Sequence, residues 1–191
     1  MRIHHRFINQ PFFFPDWEVD TLILGTFNPN TENIVDYYYG REKNKFWRAI
    51  ELIENLELKS LHGNLAAKQI VMNRKRFGCV DVIKYADVDE DHVQNIIGNG
   101  YSDSALFLKK KVTLTYQFLE IKDFLLEKKI ARVINTWGKR KNPKLFRDEV
   151  QELKTFCERH GIVYVENCPS PSGRSKSTVE NIEIFYVENG L

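Results

Sequence analysis

TLILGTFNP, residues 21–29, decides the fold. Four apolar or β-branched residues run into Gly25 and then into a polar loop that contains a proline. An unbroken run of this kind reads as a strand buried on both faces, as in a parallel sheet. Three later runs have the same form. FGCVDVI (77–83) carries one acid, Asp81, in an otherwise apolar stretch. ARVINTWG (131–138) again ends at glycine, and IVYVENCPSPSGR (162–174) runs into a loop of proline, serine and glycine.

Helical patterns lie between these runs. KNKFWRAIELIENL (43–56) places Phe46, Trp47, Ile50 and Ile53 at helical spacing, and residues 64–76 form a second helix with Leu65, Ile70 and Val71 apolar. Residues 106–129 predict one or two more. Pro143 opens LFRDEVQELKTFCERHG, whose Phe146, Val150, Leu153, Phe156 and Cys157 make one face and whose Gly161 is the stop. The stretch 85–105 is polar and reads as the longest loop; the tail TVENIEIFYVENG fits a helix or a strand. Strands separated by helices specify one domain over residues 1–191. Its expected architecture is α/β, a three-layer α/β/α sandwich around a central, mainly parallel sheet of about four strands.

Composition removes several function classes. Lys plus Arg is 28 and Asp plus Glu is 26, a net charge of +2 over 191 residues, so nucleic-acid contact must come from a local patch. Cys79, Cys157 and Cys168 are too few for a disulfide framework or a four-thiolate cluster, and a reducing, cytoplasmic compartment is expected. No apolar run approaches a membrane span, and no signal-peptide pattern is read at the start. The five histidines show no metal-ligand spacing, so no metal site is expected. GxSxG and GxxxxGK[ST] are absent as well.

Parallel sheets bind ligands beyond the carboxyl ends of their strands. That rule selects the loops after Gly25, Asp81, Trp137 and Asn167. The first holds Asn28 and, further on, Tyr37, Tyr38, Tyr39 and Asn44: amides that can hold a water or a base edge and rings that can stack a base. The same residues also suit a turn, a helix cap and an aromatic core plug. Asp81 either accepts hydrogen bonds from a base or caps a turn. Lys139 and Arg140 either hold phosphates or form a solvated face. The fourth loop is stiffened by Pro169 and Pro171, narrowed by Ser170 and Ser172, and charged by Arg174 and Lys176. It suits a phosphodiester backbone, or is an ordinary surface loop.

Five stretches in order resemble the uracil-DNA glycosylase superfamily. LILGTFNP resembles its first motif. YYYGREKNKFWRAI resembles the YYxHPxNxFWRxL segment of the mismatch-specific and hypoxanthine-DNA glycosylase branches. CVDVIKYADVDE followed by SDSAL resembles the LWDVI and SxDSxI stretches of the hypoxanthine branch. NTWGKR resembles the WG that ends a strand in many members, and CPSPSGR the second motif, which elsewhere reads HPSP.

The resemblance implies a monomeric, monofunctional, cofactor-free hydrolase of the N-glycosidic bond, acting on DNA with a damaged or mismatched base. Hypoxanthine and uracil lead the expected substrates, and base flipping precedes cleavage. Asn44 matches the asparagine of the second stretch; Asn28 lies next to Phe27, which occupies the working position of the first motif in other branches. These two asparagines are the catalytic candidates. Gly25, Phe27, Tyr39 and Asp81 would form the base pocket. Ser170, Pro171, Ser172, Arg174, Lys139 and Arg140 would bind DNA. Cys168 stands where some branches have histidine. The rival reading is a fold that binds nucleic acid or a protein without cleavage.

Overall fold

The computed structural model describes residues 1–31, 35–98, 101–108, 110–137 and 147–191. Its strands are β1 (Arg2–His4), β2 (Thr21–Gly25), β3 (Phe77–Asp81), β4 (Ile83–Val88), β5 (Val112–Tyr116), β6 (Arg132–Asn135) and β7 (Val163–Val165). Its α-helices are α1 (Phe46–Ile53), α2 (Leu65–Lys75), α3 (Val93–Ile97), α4 (Phe118–Glu127), α5 (Arg147–Arg159) and α6 (Val179–Glu188). Among the described residues, no helix is long and apolar enough to cross a membrane.

The four apolar runs build one parallel sheet in the order β3-β2-β6-β7. Thr21 pairs with Phe77 on one side and Arg132 on the other, and Gly25 pairs with Asp81. All four strands therefore end on one edge. Successive residues face opposite layers, as strand geometry requires. Leu22, Leu24, Val80 and Val133 join a core that includes the apolar faces of α4 and α5. Ile23, Phe77, Cys79 and Ile134 join a second core with α1, α2 and α6. Each fully buried Leu or Ile contributes about 1.5–3 kcal/mol relative to exposure. This is the three-layer α/β/α arrangement.

A second sheet, absent from the sequence reading, is antiparallel in the order β1-β4-β5. It corrects three expectations. FGCVDVI is not one strand: β3 ends at Asp81 and the chain leaves the parallel sheet at Val82. The Val82 and Ile83 N–H groups donate to the Gly25 and Thr26 carbonyls, both at 3.1 Å. The stretch 85–105 is not one long loop, since it contains most of β4 and all of α3. Residues 106–129 are not all helix, since Val112–Tyr116 is β5 and, among the described residues there, α4 is the one α-helix. VTLTY has the β-branched content and alternating burial of a half-exposed strand, which outweigh the helical spacing around it.

The tail is a helix. The Thr178 side chain accepts from the Asn181 N–H at 3.2 Å and caps α6, whose Ile182 and Tyr186 are buried.

Gly78, in β3, lets the N-terminal segment lie directly on the sheet. A Cβ there would fall far inside contact distance of the Pro15 ring. Gly78→Ala is expected to destabilise the protein by about 1–3 kcal/mol through overpacking. Urea unfolding measures this, and an unchanged midpoint would refute the close approach.

Candidate functional site

The carboxyl edge of the parallel sheet is organised around Asp81. Its side chain is almost wholly buried and Oδ2 accepts two hydrogen bonds, from His5 Nε2 at 2.9 Å and Asn28 Nδ2 at 2.8 Å. The Phe7 N–H donates to His5 Nδ1 at 3.2 Å. Nδ1 therefore carries a lone pair, and the ring is the Nε2–H tautomer that donates to Asp81. His5 is held in a cage of Phe7, Phe13, Phe27 and Tyr38, with ring centroids 5.2–5.8 Å away. Gly25 makes room for the carboxylate: a Cβ on it would collide with Asp81 Oδ1 and reach within 3.0 Å of the Tyr39 hydroxyl.

The bond to Asp81 also orients Asn28. A carboxylate accepts and does not donate, so the Asn28 amide must present Nδ2 to it, which turns Oδ1 away. Asn28 is half-buried. It is thus an acceptor on the sheet edge, fixed from behind.

A second group of polar residues adjoins this one. Trp137 Nε1 donates to Thr26 Oγ1 at 3.2 Å, and the Tyr101 hydroxyl donates to Asp103 Oδ1 at 2.9 Å. The Arg41 guanidinium stacks 4.8 Å above the Tyr101 ring. Lost hydration lifts the Asp103 carboxyl above its ordinary value; bonds from Thr26 and Tyr101 pull it back, nearby Asp81 adds to the lift and Arg41 opposes it. Asp103 keeps an exposed face, which limits the effect. Tyr39 closes the edge. Thr136 Oγ1 donates to the Leu24 carbonyl at 2.9 Å, so Tyr39, 3.2 Å away, is the donor to Thr136. The Tyr39 ring stacks on Phe46 at 4.6 Å. Its φ of 58° is costly for a residue with a Cβ, and so is the 65° of Asn167 at the head of the fourth loop.

That fourth loop is pinned to the segment that holds Asn44. Lys45 N–H donates to the Pro171 carbonyl at 2.8 Å, and Lys45 Nζ donates to the carbonyls of Ser175 (2.8 Å) and Ser177 (2.7 Å). Gly173 lies against Lys43, where a Cβ would be 2.6 Å from its carbonyl oxygen. Ser172 and Arg174 are exposed, Ser170 is half-buried and Pro171 is buried. Asn44 Oδ1 accepts from the Phe46 N–H at 2.9 Å, an Asx-turn contact just ahead of α1. Its Nδ2, a donor, is the end that remains.

The structure therefore brings Gly25, Asn28, Asp81 and Tyr39 to one edge and places Asn44 beside Ser170, Pro171, Ser172 and Arg174. Phe27 is buried against His5. Lys139 and Arg140 lie outside the described residues. Tyr37 and Tyr38 are fully buried, and Tyr38 donates to the Phe13 carbonyl at 2.9 Å. The core-plug alternative holds for those two, and only Tyr39 reaches the edge. His5, Arg41, Tyr101 and Asp103 were not singled out by the sequence reading. Arg41 and Asp103 carried a signal, because YYYGREKNKFWRAI and SDSAL were already matched as motifs; His5 and Tyr101 carried none. The chain matches no family model and no curated protein.

Cys168 is buried, and loss of hydration pushes its thiol up to about 12, opposed by its bond with Tyr186. It cannot supply the charged hydrogen bond of a histidine at that position. Cys157 is raised to about 11 by burial, and Cys79 goes well above its ordinary value for the same reason. A thiol reagent at pH 8 is expected to leave all three unmodified in the native protein and to modify all three in guanidinium. Rapid native labelling of Cys168 would show that the loop opens.

Removing His5 strips a donor from a buried carboxylate and leaves a hole among four rings. His5→Ala is expected to cost about 3–5 kcal/mol, the range for breaking a buried pair from one side. Chemical denaturation reads this directly; a loss below about 1 kcal/mol would mean that Asp81 does not depend on His5.

Proposed function

We propose that the chain is a DNA glycosylase-like base-excision enzyme that hydrolyses the N-glycosidic bond of a flipped-out deaminated base, hypoxanthine or uracil first. One observation carries the reading: a half-exposed asparagine amide at the carboxyl edge of a parallel sheet, oriented from behind by a buried carboxylate. Hydrolysis of this bond needs a water held by an acceptor near the sugar carbon and little else from the protein as base. Water oxygen bonds to the sugar carbon as the bond to the base nitrogen breaks. The bonding pair leaves with the base, and the water proton is released or taken up by the departing base.

Within this reading the two asparagines have different roles. Asn28 offers Oδ1 and holds the water, with Asp81 as its positioning residue and His5 behind Asp81. Asn44 offers Nδ2 and binds an acceptor on the substrate. Asp103 and Tyr101 supply polar groups for a base edge, and the loop carrying Ser170, Ser172 and Arg174 grips the strand. Support also comes from the ordered resemblance of five stretches, four of which meet at this edge among the described residues.

One feature favours the rival reading of a fold that binds nucleic acid without cleaving it. Cys168 is a buried, protonated thiol where some glycosylase branches have histidine.

Labelled oligonucleotides carrying one uracil, hypoxanthine, xanthine or G·T mismatch, followed by alkaline cleavage of abasic sites, decide between the two. At least one is expected to give product. Asn28→Ala is expected to lower kcat by about 100-fold or more, while Asn44→Ala mainly raises KM. No product from the whole panel, with DNA binding retained, would refute the enzyme and leave the binder. Cleavage insensitive to Asn28→Ala would refute the assignment of the water.

A further inference from the structure

A cleft lies behind Tyr39, against one face of α1. Asn44, Trp47, Arg48 and Glu51 line it at helical spacing, and Lys59, His62 and Lys68 close the other side. Arg41 joins it at the mouth. Its cavity volume is about 40 Å³, room for about three waters. A group of a few heavy atoms fits; a base does not.

The charges in the lining are unbalanced. Arg48 and Lys59 bring two cations with no acidic partner among the described residues, His62 is a further basic group, and Arg41 and Lys68 also line the cleft, Arg41 turned onto Tyr101 and Lys68 paired with Asp36. Glu51 is committed to the wall itself, accepting the N–H groups of Lys59 and Leu61, both at 2.9 Å. Lys68 is fully buried, pairs with Asp36 at 2.5 Å and lies 5.2 Å from the Trp47 ring. Glu42, which is exposed, is the remaining acid of the lining. Asn44 adds a neutral donor, because its Oδ1 is taken by the Phe46 N–H. A small pocket of donors and cations, with its inner carboxylate tied to backbone, selects a compact oxyanion.

We propose that this cleft holds a phosphate of a bound nucleic-acid strand. Tyr39 and Arg41 form its wall toward the sheet edge, so a strand whose base meets Asn28 and Asp103 carries a neighbouring phosphate past that wall. The source of the phosphate rests on the nucleic-acid reading above; the anion site itself does not. Burial lowers the affinity of Lys68 for its proton against the pull of Asp36, and a bound anion restores it.

Two arms test this. In the first, inorganic phosphate is titrated at constant ionic strength against chloride, and the Trp47 indole N–H is followed by NMR. A saturable shift is expected, weakened at least tenfold by Arg48→Gln. Lys59→Gln, at an exposed position, gives the same direction without burdening the fold. In the second, binding of a labelled oligonucleotide is measured against salt. Each contact removed is expected to make the slope of log K against log salt shallower by about one. A phosphate response without any DNA binding supports the anion site and overturns a strand as its source. DNA binding with unchanged slopes in both variants, and no response to phosphate, overturns the site.

Discussion

The carboxylate of Asp81 is the constraint on which the rest of the edge depends. A charge this deeply buried is costly unless hydrogen bonds replace its water. Here the replacements come from distant parts of the chain: His5 from the N-terminal segment and Asn28 from the loop after β2. The Asp81 backbone carbonyl also accepts from the buried Gln117 side chain, just before α4. Meeting one charge thus ties the N-terminus, the first loop and the end of β3 together, and the backbone of the same residue adds the start of α4. Gly25 is part of the same solution, since no other residue leaves the carboxylate its place. The antiparallel sheet follows from it too. β1 delivers His5, and β4 carries the chain away from Asp81 toward β5.

What was legible in the sequence was the part governed by local pattern. Runs of apolar and β-branched residues ending at glycine or at a polar turn named all four parallel strands, because a strand buried on both faces has no polar alternation to hide it. The helices between them were visible through Phe46, Trp47 and Ile50, or Val150, Leu153 and Cys157. The antiparallel sheet was not, for a physical reason. Its strands are short or half-exposed, and their partners lie as far apart as Arg2 and Asp87. Ion pairs and cross-strand contacts at that separation leave no periodic trace. His5 was invisible for the same reason: a lone histidine near a terminus has no pattern until Asp81, 76 positions away, is folded against it. Tyr37 and Tyr38 show the converse. Three adjacent tyrosines suggest a stacking surface, yet consecutive side chains diverge, so two are in the core and one is at the edge.

Asn28 and Asn44 could not be told apart as residues, and the difference between them lies in what each is bonded to. Both carry one donor group and one acceptor. Asn28 faces a carboxylate, which consumes its donor; Asn44 faces a backbone N–H, which consumes its acceptor. The free ends are therefore opposite in character. One can hold the hydrogen of a water, and the other can hold an oxygen of a substrate. A sequence comparison places an asparagine at a motif position. Its partner decides which of the two chemistries the amide retains, and that partner is set by tertiary structure.

The same logic connects the two sites. Tyr39 is held in a costly backbone conformation with its hydroxyl tied through Thr136 to the Leu24 carbonyl, at the end of β2. The next two residues, Gly40 and Arg41, face the basic cleft. A movement of Tyr39 would therefore disturb both the edge beside Asp81 and the mouth of the cleft. Strain of this kind persists only where the surroundings over-determine it, and here they do. Phe46 stacks on the ring from α1, Thr136, just after β6, accepts the hydrogen bond of its hydroxyl, and Gly25 leaves space beneath that hydroxyl. A ligand that spans the wall must meet groups of opposite demand on its two sides: an acceptor and carboxylates toward the sheet edge, cations and a donor toward α1. A base with N–H groups beside a phosphate has that asymmetry, whereas a uniformly anionic or uniformly apolar ligand does not. On the reading proposed above, the division of charge across Tyr39 and Arg41 favours a nucleotide unit over either simpler class.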